Sequence, residues 1–407
     1  MSDNIKIITS HWDKIDPLRI EDYVEVGGYE ALKKFLDYMT PKEAVAEIKT
    51  AKLAGRGGAG FPTGEKLEMV ASKRGRRYFI CNLDESEPGT YKDRMIVDKS
   101  PHLLLEGVVI SSLAIGAEEA YIYINGNYKK QLEILETAIA SAKQYNFLGQ
   151  HILHSEHNLE IKLFSGAGAY ICGEETALIN SIEGNRGEPK VRPPYPPQQG
   201  LFGKPTVINN AETISSIPWI ILNGGKKYSQ IGSSCSPGTK LYILSGSIEN
   251  GGIFEAPTGL SIKDLIYNIG GGMQKGKDFW FAQIGGACGR LALEGELKTN
   301  LDFSRNCECP LGSGSILVVD KSVNIHDLLV SWAGFFARES CGKCVPCREG
   351  TFRLYEIMKR LRDGEISDRD KIAAKDILWT LENTTFCPFG KFAATAIRDS
   401  SEKLKVF

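Results

Sequence analysis

The stretch Leu159-Glu-Ile-Lys-Leu-Phe-Ser-Gly-Ala-Gly-Ala-Tyr-Ile-Cys-Gly-Glu-Glu-Thr176 decides the fold of its half of the chain. Leu159 to Phe164 reads as a strand. It runs into a glycine turn, Gly166 to Gly173, and then a helix opening at Glu174-Glu175-Thr176. Strand, glycine-rich turn and helix in that order form the crevice in which α/β proteins hold a nucleotide. Glu174 and Glu175 would repel a phosphate placed at that helix start, so they suit ribose or amide groups instead. Acids also sit well at a helix N-terminus with no ligand present, because the helix dipole favours them there.

Working outward, the same texture repeats. Two helical patterns, Gly28 to Met39 and Pro41 to Lys52, lead in. A first glycine loop follows, Gly55-Arg-Gly-Gly-Ala-Gly-Phe-Pro-Thr-Gly64, with a short helix through Lys66 and Val70. The loop matches Gly-x-Gly-x-x-Gly at Gly55, Gly57 and Gly60, but a dinucleotide fingerprint should follow a strand, and helix precedes it here. A flexible turn is one reading. A phosphate cradle is the other, since Arg56 and Lys66 bracket bare backbone N–H groups at the start of a helix.

Arg77 to Cys81 reads as a buried strand ending in the polar turn Asn82 to Gly89. Asp84, Glu85 and Glu87 in that turn suit ribose hydroxyls or a flavin edge, or form a solvated acidic turn. A helix over Pro101 to Ala117, a strand over Ala120 to Asn125 and a helix over Lys129 to Tyr145 follow. Alternating strands and helices predict an α/β unit.

Residues 184 to 210 are rich in proline and glycine and are expected to carry no regular structure; so long a loop is functional or linking. From Lys240 the texture changes to a small α+β unit, with strands at Lys240 to Ser247, Phe279 to Ile284 and Ser315 to Asp320 and a helix at Ser261 to Ile269. Four short helical patterns run from His326 to the end.

Composition excludes several classes. A net charge of -1 over 407 residues offers no field to gather nucleic acid. The most apolar run, Leu103 to Ala117, is broken by Glu106 and is too short to span a bilayer, so no direct membrane insertion is expected. The N-terminus lacks the basic-then-apolar pattern of a signal peptide. A reducing, cytoplasmic setting is expected, with any work at a membrane done through partner subunits. In such a setting ten cysteines suggest metal or redox chemistry more than disulfides.

Three of those cysteines stand at Cys341-x-x-Cys344-x-x-Cys347, with Cys387 following. Thiolates suit iron–sulfur clusters or zinc. Three sulfurs at this spacing wrap one cubane, with the fourth ligand supplied from a distance. Zinc sites more often pair two Cys-x-x-Cys units or mix in histidine. Other groupings are weaker: His151, His154 and His157 fall in a polar loop, and Cys288, Cys307 and Cys309 read as structural thiols more than as an extra site.

Four long motifs in order now resemble one family. They are Gly55 to Gly64; Asn82-Leu-Asp-Glu-Ser-Glu-Pro-Gly-Thr-Tyr-Lys-Asp-Arg94; Gly166 to Ala177; and Glu339-Ser-Cys-Gly-Lys-Cys-Val-Pro-Cys-Arg348. They resemble the NADH-binding flavoprotein subunit of respiratory complex I. That module also occurs in NAD-linked hydrogenases, formate dehydrogenases and electron-bifurcating enzymes. The resemblance covers roughly residues 20 to 400.

It implies an α/β Rossmann-like FMN domain, a β-grasp (ubiquitin-like) α+β domain and a C-terminal helical bundle holding a 4Fe–4S cluster. The expected bounds are 1–54 for a helical lead-in, then 55–230, 238–322 and 323–407. It implies that FMN is held by Gly55, Arg56, Gly57, Gly58 and Lys66, by Asn82, Asp84, Glu85 and Ser86, and by Tyr170, Gly173, Glu174, Asn209 and Asn210. NADH would meet Phe61, Met69 and Tyr195 at its adenine, with Met69 standing where an aromatic is common. Glu87 and Glu175 would meet its ribose and amide groups, and an acid by the ribose selects NADH over NADPH. Cys341, Cys344, Cys347 and Cys387 would ligate the cluster.

The implied activity is hydride transfer from NADH to FMN, then single electrons through the cluster, as in complex I or in a soluble hydrogenase, formate dehydrogenase or bifurcating enzyme. The implied partners are a thioredoxin-like 2Fe–2S subunit and a larger Fe–S subunit. A non-catalytic scaffold would show a damaged flavin loop, whereas Arg56, Lys66, Asp84 and Glu175 all stand. Two departures mark this chain: Asn209-Asn210-Ala211-Glu212-Thr213 replaces the usual Asn-Asn-Val-Glu-Thr, and Cys288, Cys307 and Cys309 fall in the β-grasp region.

Overall fold

The computed structural model describes residues 5–303 and 309–407. Its first sheet has four parallel strands, β1 (Tyr78–Leu83), β2 (Glu119–Ile124), β3 (Glu160–Ser165) and β4 (Thr206–Asn210), in the order β3-β2-β1-β4. Parallel neighbours require crossovers, and helices supply them. The helix Pro101–Ala114 is buried on nearly every side between β1 and β2 in sequence and forms the spine of the main core. Glu106, on that helix, is buried and accepts from Tyr23 Oη (2.6 Å) and the Leu32 backbone N–H (3.0 Å), which ties the N-terminal helices to the sheet unit.

The second sheet has five strands: β5 (Thr239–Gly246), β6 (Gly252–Pro257), β7 (Phe279–Ile284), β8 (Arg290–Leu293) and β9 (Ser315–Asp320). Their order is β6-β5-β9-β7-β8. The central pair β5·β9 is parallel and the other pairs are antiparallel. Buried Glu255 on β6 accepts from the backbone N–H groups of Ile7, Ile8 and Thr9 at 2.8–3.1 Å, so the start of the described chain is laced to this sheet.

Four helices close the chain, Ile325–Glu339, Val345–Arg362, Asp368–Thr384 and Pro388–Leu404. They bury a shared core of Leu329, Leu354, Met358, Leu378 and Ile397. No helix among the described residues is long and apolar enough to cross a membrane.

The structure departs from the sequence pattern in several places. Residues 184 to 210 do carry regular structure at their end: Thr206–Asn210 is β4, paired in parallel with β1. The run Val207-Ile208 is too short to announce a strand, and only its distant partner makes it one. The helix over Pro101 to Ala117 stops at Ala114, and a separate helix, Lys92–Lys99, precedes it. Strands β6 and β8 have no counterpart in the sequence pattern, since neither shows clean alternation. The four C-terminal helices are 15 to 18 residues long rather than short.

Candidate functional site

The three units meet around one cleft of about 1430 Å³. The C-terminal ends of β1 and β4, the glycine loop, the Gly166–Gly173 turn, the β7–β8 turn and the helix beginning after Cys387 all line it. Open parallel sheets place ligands outside the carboxyl ends of their strands, and this cleft lies there.

Of the residues expected to hold FMN, only Arg56 is absent from the cleft lining. Its guanidinium is fully buried against Pro237 O (2.5 Å), Tyr228 Oη (3.3 Å) and the Phe303 ring. Arg56 therefore secures the loop from behind. Its Nε and Nη1 have no hydrogen-bond partner among the described residues, and the side chain is not part of the cleft lining. Gly57 has a different necessity: a Cβ there would stand 3.1 Å from Asn210 Cβ.

The remaining residues divide by what their polar atoms already do. Glu85 is buried and saturated, accepting from the Asp93 and Arg94 backbone N–H groups at 3.0 Å each. It caps the helix Lys92–Lys99, and burial pushes its carboxyl up to about 7. Asn210 is saturated too. Its Nδ2 donates to Asp93 Oδ2 (2.6 Å), and its Oδ1 accepts from the Glu212 N–H (3.0 Å) and from Lys92 Nζ (3.3 Å). Asn82 Nδ2 donates to Gly173 O (2.9 Å) and so joins β1 to the second glycine turn.

Three others carry an atom with no hydrogen-bond partner among the described residues. These are Asp84 Oδ2, Asn209 Nδ2 and Glu174 Oε1, all buried and all from residues lining the cleft. Asp84 Oδ1 is occupied by Ser86 Oγ (3.1 Å). Burial pushes the Asp84 carboxyl up to about 7. Glu174 spends Oε2 on the N–H groups of Thr176 and Ala177 (2.9 Å each), capping its own helix. The nearest cation to Oε1, Arg192, is 3.8 Å away. A buried polar group without a partner is costly and calls for an explanation, most simply a ligand. An amide donor suits a flavin ring carbonyl, and carboxylate acceptors suit the single ring N–H and the ribityl hydroxyls.

The nucleotide candidates gather at the mouth. Phe61, Met69 and Tyr195 line the cleft and are 42%, 45% and 50% exposed, unusual for side chains so apolar. Glu175 stands among them, 3.4 Å from Lys66 Nζ and 3.3 Å from Arg192. Glu87 lies deeper. Its carboxylate accepts from the Cys288 N–H (3.2 Å) and Thr90 Oγ1 (3.3 Å), and burial pushes it up. Gly286 permits this: a Cβ there would stand 2.4 Å from Glu87 Oε2.

The four cysteines stand together at the far end. Cys341, Cys344, Cys347 and Cys387 belong to one packed cluster with Tyr170, Phe335 and Phe389, and Cys387 also lines the cleft. Burial, with the other thiols adding to it, pushes Cys347 up to about 12 and Cys387 up to about 11. Such thiols ionise only against compensating positive charge, which iron supplies. No three Cys, His, Asp or Glu side chains among the described residues gather closely enough to hold one metal ion. A cubane sets its thiolates on separate irons, so four thiols around a larger space fit it.

Lys92, Asp93, Thr213, Arg192, Cys288 and Ser313 also line the cleft, and the sequence reading assigns none of them to the site. Lys92 and Asp93 lie inside the Asn82–Arg94 motif, but a motif does not say which members point inward. Cys309 is buried in the second sheet's core, and Cys307 lies outside the described residues. Cys81, Cys172, Cys235, Cys288, Cys341, Cys344, Cys347 and Cys387 are free thiols.

Comparison with known proteins agrees with this geometry. Residues 48–219 match the family model described as the Nuo51 FMN-binding domain. Residues 327–405 match the NADH-ubiquinone oxidoreductase-F iron-sulfur binding region. The chain is 44% identical over 387 residues to the F subunit of the NADH-quinone oxidoreductase of Aquifex aeolicus, covering 94% of this chain and 89% of that one. It is 41% identical over 394 residues to the HndC subunit of the NADP-reducing hydrogenase of Solidesulfovibrio fructosivorans, covering 95% and 79%. It superposes on a chain of the NAD+-reducing [NiFe]-hydrogenase crystal structure, H2-reduced state, with a TM-score of 0.83 and 32% identity. That match covers 98% of this chain and spans 65% of the hydrogenase chain.

Proposed function

We propose, because this chain belongs to the family of NADH-quinone oxidoreductase F subunits, that it is the NADH dehydrogenase component of a larger redox complex and that the cleft is its FMN and NADH site. The observation that carries the site is the set of three buried, unpartnered polar atoms on Asp84, Asn209 and Glu174, residues that line one cleft together with a cluster thiol, Cys387. When bound, the flavin accepts a hydride from the nicotinamide and the cluster takes its electrons one at a time.

The chain's own residues bind, orient and insulate. Gly55, Gly57 and Gly58 bring bare backbone to the flavin phosphate and ribityl chain, with Lys66 beside them. Asp84 and Asn209 meet the ring, while Asn82, Glu85, Ser86, Gly173 and Asn210 hold their neighbours in place. Tyr170 packs on Phe335 (5.3 Å) and Phe389 (6.0 Å), filling the space between cleft and thiols with apolar rings that exclude water. Phe61, Met69 and Tyr195 clasp the adenine, and Glu87 and Glu175 take ribose and amide groups. Glu175 repels a 2′-phosphate, which favours NADH; a relative is named for NADP reduction, so the preference is worth direct measurement. Cys341, Cys344, Cys347 and Cys387 ligate the cluster.

The second sheet is a β-grasp domain in this reading. Its order, β6-β5-β9-β7-β8 with the first and last strands parallel at the centre, supports it. The domain bounds are 1–54, 55–230, 238–322 and 323–407. The partners are a thioredoxin-like 2Fe–2S subunit and a larger Fe–S subunit; that the relatives are themselves named as subunits supports this. A cytoplasmic setting agrees with the eight free thiols named above.

The test is an anaerobic absorbance titration of the FMN-loaded protein with NADH and with NADPH. Bleaching of the flavin band by stoichiometric NADH and not by NADPH is expected. Bleaching by neither refutes hydride transfer by this chain, and failure to bind flavin refutes the reading of the cleft.

A further inference from the structure

The helix Ile325–Glu339 ends beside both redox sites, and the residues at its end divide between them. Glu339 Oε2 accepts from the Tyr170 backbone N–H (2.9 Å) in the turn that lines the cleft. Ser340, the residue that closes the helix, places Oγ 3.2 Å from Sγ of Cys347. Geometry alone leaves the donor of that contact open, but the chemistry settles it. A cysteine bound to iron carries no S–H, so the proton belongs to Ser340. The Gly342 N–H reaches Ser340 Oγ at 3.4 Å, which turns a lone pair that way and leaves the hydroxyl proton free for the sulfur. Cys347 is the most buried of the four thiols, so water does not compete for it.

We infer that Ser340 is a positioning residue that raises the reduction potential of the cluster by donating a hydrogen bond to its Cys347 ligand. Hydrogen bonds to ligand sulfurs stabilise the more negative, reduced cluster and so raise its potential. The consequence is directional. The hydroxyl makes the cluster a better acceptor for electrons leaving the cleft, and no other side chain among the described residues makes a hydrogen bond to a cluster thiol.

The inference rests on the iron–sulfur reading, and iron and sulfide analysis of the unmodified protein tests that reading separately. The experiment is a mediator titration of the loaded protein followed by EPR, comparing the native chain with Ser340→Ala and Ser340→Thr. A lower midpoint is expected in the alanine variant at unchanged iron content, with the native midpoint kept by threonine. An unchanged midpoint in Ser340→Ala, or an equal fall in both variants, overturns the inference. A second measurement is pulsed EPR after exchange into heavy water: the native protein should show a deuteron at hydrogen-bond distance from a ligand sulfur that Ser340→Ala lacks. Absence of that deuteron from the native protein, or its persistence in Ser340→Ala, also overturns the inference.

Discussion

The floor of the cleft and the buried ion network that adjoins it both bury carboxylates, yet they differ in how those groups are partnered. In the network every charge is answered. Lys240 Nζ meets Glu212 Oε2 at 2.6 Å, and Lys92 Nζ meets the same oxygen at 3.1 Å and Asp93 Oδ1 at 2.7 Å. Glu212 Oε1 accepts from the Leu241 N–H at 2.8 Å, which locks the first sheet unit to the second. On the floor, Asp84, Asn209 and Glu174 each leave an atom unanswered. Burial makes both arrangements expensive to disturb, but in opposite senses. In this pair of regions the saturated groups hold the frame, and the unpartnered ones sit on residues that line the cleft. Neighbouring Asn209 and Asn210 show the contrast within one dipeptide.

The largest expected effect breaks the saturated side. Glu212→Gln leaves Lys240 without its ion-pair partner and Lys92 with one fewer. Breaking one member of a buried ion network costs about 3–5 kcal/mol. Chemical unfolding of the apoprotein should show that loss, and near-native stability would mean that water or rearrangement satisfies the lysines.

Next comes the floor. Asp84 titrates at about 7 in the folded chain against an ordinary 3.8, so the folded state holds its proton more tightly. Its contribution is full below pH 3.8 and is lost as pH rises toward 7. In the apoprotein, Asp84→Asn should remove that decline and leave the variant more stable than native at pH 8. The same change should weaken FMN binding about ten- to a hundredfold, since a hydrogen bond to a charged group contributes about 1.5–3 kcal/mol. Opposite signs from one substitution are the signature of a ligand-facing group; equal losses would make Asp84 part of the frame.

The asparagine pair sharpens the contrast at smaller scale. Asn209→Ala should lower FMN affinity by about 0.5–1.5 kcal/mol and leave the apoprotein's melting temperature alone. Asn210→Ala should lower the melting temperature first, because Asp93, Lys92 and the Glu212 N–H lose a partner. Identical profiles from the two variants would erase the distinction. The smallest effect is at the mouth. Met69→Phe adds an aromatic face opposite Phe61 and Tyr195, and stacking contributes about 0.5–1.5 kcal/mol. A KM for NADH lower by a few-fold with kcat unchanged is the expected result, and a higher KM would place the adenine elsewhere.

Much of this was legible in sequence because the signals are local. Periodicity marked β1, β2 and β3 and their crossover helices. The Cys341, Cys344 and Cys347 spacing names a ligand set on its own, since three thiols so closely spaced readily converge on one group. What failed was non-local. The strand Thr206–Asn210 lies in a proline-rich stretch and exists only because β1 offers it an edge. Arg56 carries the right charge at the right place in the glycine loop, yet Tyr228 and Pro237, far along the chain, draw its side chain out of the cleft.

The sequence by itself therefore determined which chemistry this chain carries: glycines for close backbone approach, acids at strand ends, and thiols at cluster spacing. Tertiary structure alone decided which members of each motif face the ligand. Residue type fixes how many hydrogen bonds a side chain can make, but only the packed fold consumes some of them and leaves the rest open. Glu85 and Asp84 are adjacent carboxylates of equal promise on paper. A helix N-terminus took both oxygens of one, and nothing among the described residues took the last oxygen of the other.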